Sequence, residues 1–134
     1  MLKLEIVTPE KKVLSETVDM VTIPTASGEI GVLPNHAPLI SSLKPGILTY
    51  TCGNTSGKLV VASGFVEINN NKVSVLADIA ETADEIDVEK TRLQKEELEK
   101  LLSKWGGSEE DFEREKEKLD CAQARLQLAT GGIS

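Results

Sequence analysis

Gly28-Glu29-Ile30-Gly31-Val32-Leu33-Pro34-Asn35-His36-Ala37-Pro38 is the most constrained run in the chain. Gly28 and Gly31 bracket two residues, and glycine accepts positive φ or a close neighbouring backbone without steric cost. Pro34 and Pro38 fix φ on either side of Asn35-His36-Ala37, so the apolar run 30–33 stops and the chain turns. The turn carries the chain's only histidine. Two readings of it stand: a β-bend in which His36 satisfies a local hydrogen bond, or a stiff loop presenting Glu29 and His36 to a partner.

On the N-terminal side of this run, Leu2, Leu4 and Ile6 alternate with Lys3 and Glu5, the period of a strand with one buried face. Thr8-Pro9-Glu10-Lys11-Lys12 turns the chain, strands follow over 13–18 and 20–23, and Pro24-Thr25-Ala26-Ser27-Gly28 is a loop. On the C-terminal side, strands are predicted over 39–43 and 47–52, with Lys44-Pro45-Gly46 as the turn between them. Further strands lie over 58–63, 65–68 and 72–77, with Gly53-Asn54-Thr55-Ser56-Gly57 as a flexible hairpin tip and Asn69-Asn70-Asn71 capping the last hairpin. Gly64, inside an apolar run, marks a bulge or a close backbone approach. Short strands with turns this frequent predict an antiparallel sandwich or barrel.

Beyond Asp78 the character changes. Residues 84–134 hold 14 acidic and 9 basic side chains, against 8 and 6 before them. Asp84 or Asp87 can cap a helix whose later turns place Leu98, Leu101, Leu102 and Trp105 on one narrow apolar stripe, ended by Gly106-Gly107. Ser108 followed by Glu109, Glu110 and Asp111 opens a second helix. On it Phe112, Leu119 and Leu126 recur every seven residues, with Ala122 and Ala129 on the neighbouring row, until Thr130-Gly131-Gly132. So short a connection predicts an antiparallel hairpin. Its stripes are thin, so it docks on the β-domain weakly, either as a permanent appendage or as a movable switch.

The class is therefore α+β: an N-terminal antiparallel β-sandwich over 1–83, then a C-terminal antiparallel α-helical hairpin over 84–134. At 134 residues and 40% hydrophobic content the chain can fill one compact core, built from Val, Ile, Leu and Ala since aromatics make up only 3%. A net charge of −7 argues against binding nucleic acid or anionic lipid, both of which need clustered Lys and Arg. No apolar run reaches the roughly 18 residues a membrane helix requires. The N-terminus enters a strand without a signal segment, so a soluble, intracellular protein is expected. Cys52 and Cys121 have neither metal spacing nor disulfide density and are expected to be free thiols. No catalytic triad, phosphate loop or metal cluster is legible, and independent catalysis is not expected.

The run from Gly28 to Pro38 closely resembles the signature turn of the epsilon subunit of F-type ATP synthases. Lys44-Pro45-Gly46, Gly64-Phe65-Val66-Glu67, Asn69-Asn70-Asn71, Val73-Ser74-Val75-Leu76-Ala77-Asp78 and the charged helical tail extend the resemblance over nearly the whole chain. The resemblance implies a ten-stranded sandwich and a non-catalytic rotor subunit that joins the gamma subunit to the c-ring. It further implies a hairpin that can extend towards the alpha/beta hexamer and inhibit ATP hydrolysis. By position, Glu29 would face the c-ring, with Thr8 and Pro9 nearby, while His36 and Pro38 would lie towards gamma. Arg114, Lys116, Lys118 and Arg125 would carry the inhibitory contact. The implied site is the cytoplasmic face of a bacterial plasma membrane, or the stromal face of a thylakoid, held there by partners without direct insertion.

Some relatives bind ATP between the two helices, which gives an alternative function: a nucleotide sensor. Their Ile/Leu-Asp-x-x-Arg-Ala motif reads Ile86-Asp87-Val88-Glu89-Lys90-Thr91 here, and of their two arginines on the second helix only Arg125 matches, with Cys121 in the other place. Asp87, Lys90 and Arg125 are thus the candidate nucleotide contacts, ATP binding is expected to be weak or absent, and no other cofactor is implied. A stand-alone β-sandwich adaptor is a third reading.

Overall fold

The computed structural model describes residues 1–131. In chain order the strands are β1 (Leu2–Val7), β2 (Lys12–Val18), β3 (Met20–Thr25), β4 (Gly28–Val32), β5 (Leu39–Ser42), β6 (Gly46–Cys52), β7 (Thr55–Asn69) and β8 (Lys72–Glu81). A single 3-10 turn, Ala83–Glu85, leads to α1 (Val88–Ser103) and α2 (Glu109–Thr130). Eight strands are thus present among the described residues where the resemblance implied ten. The difference lies in β7 and β8, each long enough to pass through both layers of the sandwich.

One layer has the order β2-β1-β8-β7 with β5 on the far side of β7, and the other runs β8-β7-β6-β3-β4. The Phe65–Ile68 part of β7 pairs with β5, and its Thr55–Val61 part pairs with β6. Every pairing is antiparallel except β1 with β8, which is parallel. The β7–β8 turn is tight. Asn69 pairs with Lys72, leaving Asn70 and Asn71 at φ +51° and +59°, the pattern of a two-residue type I′ hairpin.

At the bend between layers, Ala62 pairs with Ile79 and Gly64 with Ala77, so the register is unchanged and no residue is inserted. Gly64 therefore marks a close approach and not a bulge. It sits at φ +133°, and a Cβ there would overlap the Leu76 carbonyl oxygen. The alternating residues of the strands fill the space between layers. Leu2, Leu4, Ile6, Val66, Ile68, Val73 and Val75 meet Val21, Ile23, Val32, Leu48, Leu59 and Val61, all buried.

Asp87, and not Asp84, caps α1: its side chain accepts the Lys90 N–H at 3.1 Å. Ser108 caps α2 by accepting the Asp111 N–H at 3.2 Å, with three acids in the first turn favouring the helix dipole. Gly131 closes α2 in the left-handed region at φ +72°; Gly132 of the expected stop lies outside the described residues. Between the helices, Thr91, Leu98, Leu102 and Trp105 face inward, as do Phe112, Leu119, Ala122 and Leu126. Leu101, expected on this seam, is 46% exposed. At about 100° per residue it stands about 60° from Leu98, while Leu102 stands about 40° away on the other side. The tip is closed by Trp105, whose indole N–H donates to the Ser108 carbonyl at 3.0 Å and whose ring meets Phe112 edge-on.

A second row on α2, Cys121, Ala124 and Leu128, packs on Val60 and Ala62 of β7 with Ile47, Ile79 and Ile86 around them. The hairpin is therefore docked on the outer face of the second layer.

Replacing Gly64 with Ala is expected to cost about 3 kcal/mol or more, since both φ and the Leu76 carbonyl oppose a side chain. Gly53→Ala, at φ +60° in open space, should cost only about 1 kcal/mol. Urea unfolding of the two variants distinguishes them; equal losses would mean that the close approach is not required.

Candidate functional site

The Pro34–Pro38 segment is a hydrogen-bonded turn. His36 N–H donates to the Leu33 carbonyl at 3.2 Å, and Asn35 adopts φ +68°, the combination of Pro then positive φ that a type II turn requires. Asn35 N–H also donates to the Asn71 side-chain oxygen at 2.6 Å, tying this turn to the β7–β8 hairpin tip. His36 is half-buried with its Nδ1 2.6 Å from the Ala37 carbonyl, so its ring is used locally. Pro38 is exposed and opens a shallow apolar groove with Leu39, Ile40 and Ile68.

Glu29 lies on β4, opposite Pro24, with its side chain exposed. It borders a cleft with Pro24 and Pro45 on one side and Asp120, Gln123 and Gln127 of docked α2 on the other. Thr8 and Pro9 lie elsewhere, beside Asp78 of β8 and the exposed pair Phe65 and Leu76. Three strands separate β8 from β4 within the layer, about 20 Å at strand spacing. The structure thus does not bring the Thr8–Pro9 loop near Glu29.

Asp87, Lys90 and Arg125 do converge. With Glu81, Glu85 and Thr91 they line a cleft of about 260 Å³ at the root of the hairpin. Arg125 donates from Nε to Glu81 Oε1 at 2.6 Å and from Nη2 to Oε2 at 3.3 Å. Burial works against the guanidinium's charge, but the hydrogen bonds and charge of Glu81 outweigh it and leave the Arg125 pKa raised. One turn earlier, burial pushes the Cys121 thiol up, partly offset by Arg125. Glu85 accepts from both N–H and hydroxyl of Thr82 at 3.1 Å. These bonds hold its carboxyl below the ordinary 4.5, with Lys11 assisting.

The four basic residues expected to inhibit are each paired in the docked hairpin. Arg114 meets Asp111, Lys116 meets Asp120 and Lys118 meets Glu115, at 3.3, 3.2 and 3.0 Å. These are exposed pairs within one helix, worth little and easily exchanged. Arg125 alone reaches the sandwich.

Sequence reasoning missed Glu81, because strand β8 was expected to end four residues earlier. It also missed the seat beneath α2, although the unbroken run Leu59-Val60-Val61-Ala62 signals a strand buried on both faces.

Residues 1–83 match the family described as ATP synthase, Delta/Epsilon chain, beta-sandwich domain. The chain is 46% identical over 127 residues to the ATP synthase epsilon chain of Desulforamulus reducens, covering 95% of this chain and 96% of that one. It belongs to the ATP synthase epsilon chain family. The epsilon chain of Syntrophobacter fumaroxidans is 45% identical over 128 residues, covering 96% of this chain and 95% of its own. A chain of the Euglena gracilis mitochondrial ATP synthase, in a structure of OSCP, F1 and c-ring, superposes with a TM-score of 0.80 at 27% identity. That superposition covers 96% of this chain and 81% of the other, so the helices are included with the sandwich. Among the described residues, no helix is long and apolar enough to cross a membrane.

The lowered Glu85 pKa gives the chain an acid-sensitive contribution to stability. It is fully present above the ordinary value of 4.5 and lost as pH falls through the lower folded value. Thermal melts should therefore show a shallower loss of stability below pH 4.5 in Glu85→Gln than in the unaltered chain. Parallel acid limbs would mean that the Thr82 contacts do not stabilise the hairpin root.

Proposed function

We propose that this member of the family is a non-catalytic rotor subunit of a proton-translocating F-type ATP synthase, joining gamma to the c-ring and restraining ATP hydrolysis through its hairpin. The match to epsilon chains over both sandwich and helices carries the reading. It acts peripherally, on the cytoplasmic side of the membrane, through its partners. Glu29 is exposed on a rigid strand and serves the c-ring contact. The His36–Pro38 turn is fixed by Asn71, and beside it Leu39 and Ile40 are exposed, which suits an apolar contact with gamma. When the hairpin extends towards the alpha/beta hexamer, Arg114, Lys116 and Lys118 exchange their intrahelical acids for acidic groups there, and Arg125 leaves Glu81.

The convergence of Asp87, Lys90 and Arg125 in one cleft supports a second reading, a nucleotide sensor. Lys90 offers a point charge in place of a planar fork and Cys121 offers neither, so binding is weak. A calorimetric titration of the purified chain with ATP is expected to show no micromolar isotherm; one that depends on Asp87 would establish the sensor reading instead.

The test of the rotor reading uses the assembled complex. Deleting residues 84–134 is expected to raise ATP hydrolysis several-fold while proton-coupled synthesis continues, and Glu29→Ala should weaken coupling without lowering the chain's melting temperature. Unchanged hydrolysis after the deletion would remove the inhibitory role, and failure of the complex to retain residues 1–83 would remove the rotor role.

A further inference from the structure

The Glu81–Arg125 fork is the one ion pair between the helices and the sandwich among the described residues. Beneath α2 the contact is an apolar seam in which Cys121, Ala124 and Leu128 pack on Val60 and Ala62, with Ile47, Ile79 and Ile86 only partly buried around them. Arg125 presents its Nε and Nη2 edge to two carboxylate oxygens, the same edge that grips two oxygens of a phosphate. The cleft around it carries Glu81, Glu85 and Asp87 against Lys90 and Arg125. Three carboxylates face two cations, so a free phosphate group meets both an occupied guanidinium and a net negative lining.

We infer that Glu81 is a built-in anion: it fills the phosphate-type seat on Arg125, and so latches α2 to the sandwich without any bound ligand. The latch consists of one exchangeable carboxylate. Removing that carboxylate frees the guanidinium edge, and a small oxyanion from solution can then take its place and restore docking. The inference rests on the hairpin being a movable arm, as proposed above.

Cys121 reads the state of the latch directly. Its thiol is buried in the seam, 4% exposed, and becomes reactive when α2 leaves the sheet. With Cys52→Ser as background it is the chain's only cysteine, and the experiment follows its labelling by a chromogenic disulfide reagent in the full chain. In the unaltered latch, labelling should be slow and insensitive to inorganic phosphate or ATP. Glu81→Ala should speed labelling by at least about tenfold, as expected for losing a charged pair of hydrogen bonds. Inorganic phosphate at tens of millimolar should then restore protection, while sodium chloride of equal ionic strength should not. In Glu81→Ala/Arg125→Gln neither anion should help.

Labelling unchanged by Glu81→Ala would overturn the latch, and labelling that phosphate fails to slow would overturn the exchangeable seat. Slowing of the unaltered chain by phosphate or ATP would show that Glu81 does not fill the seat. Should Glu81→Ala lose its fold by circular dichroism, Glu81→Gln carries the same comparisons. The assay uses the isolated chain, so its failure leaves the deletion experiment in the complex free to succeed, and the reverse holds.

Discussion

Both layers of the sandwich, and the seat of the hairpin, hang on the antiparallel ribbon of β7 and β8. Its register runs unbroken from the Asn69–Lys72 pair to the Val60–Glu81 pair, while its neighbours change from β1 and β5 at one end to β6 at the other. A ribbon that serves two layers must bend between them. The bend is possible because Gly64 lets the two backbones approach where a side chain would meet the Leu76 carbonyl. Past the bend, the ribbon presents Val60, Ala62 and Ile79 outward and ends on Glu81. Those residues are the ones that α2 uses.

The two modules are held by unequal amounts of buried surface. Seventeen buried side chains form the sandwich core, most of them Val, Leu or Ile, whereas four buried side chains, three of them Cys or Ala, form the seam under α2. At about 1.5 to 3 kcal/mol for a buried Val, Leu or Ile and less for Ala, the seam contributes a few kcal/mol and the core many times that. Between the helices, the inward row of α2 (Phe112, Leu119, Ala122, Leu126) is separate from the row that meets the sheet. Undocking as proposed above would break the weaker contact, and neither the inward row of α2 nor the Trp105 clasp belongs to it. The role proposed above, in which the sandwich stays on a rotor while the arm moves, would require this ordering of strengths.

Much of this architecture was legible in the sequence. Alternation in Leu2, Leu4 and Ile6 marked β1, and the proline-bounded Asn35-His36-Ala37 marked the turn. The Ser108 cap marked the start of α2, and the start of α1 was narrowed to a cap at Asp84 or Asp87, of which the structure uses Asp87. These features are local. What was not legible depends on partners distant in sequence. The continuity of β7 through Gly64 requires β8 alongside it, the parallel placement of β1 on β8 has no local signal, and Leu101 falls off the seam through a rotation that only the facing helix defines. Of the candidate site, Asp87, Lys90 and Arg125, singled out by the family resemblance, line one cleft. Thr8 and Pro9 do not join Glu29, because strand order and not sequence proximity separates β8 from β4.

Hydrogen exchange of the isolated chain, resolved by residue under native conditions, tests the unequal strength of the two modules most directly. Amides of α2 and α1 are predicted to exchange through an opening several kcal/mol less costly than the one that exposes β1, β7 and β8. Helices and core strands exchanging with the same free energy would contradict the account, since the arm and the sandwich would then open only together.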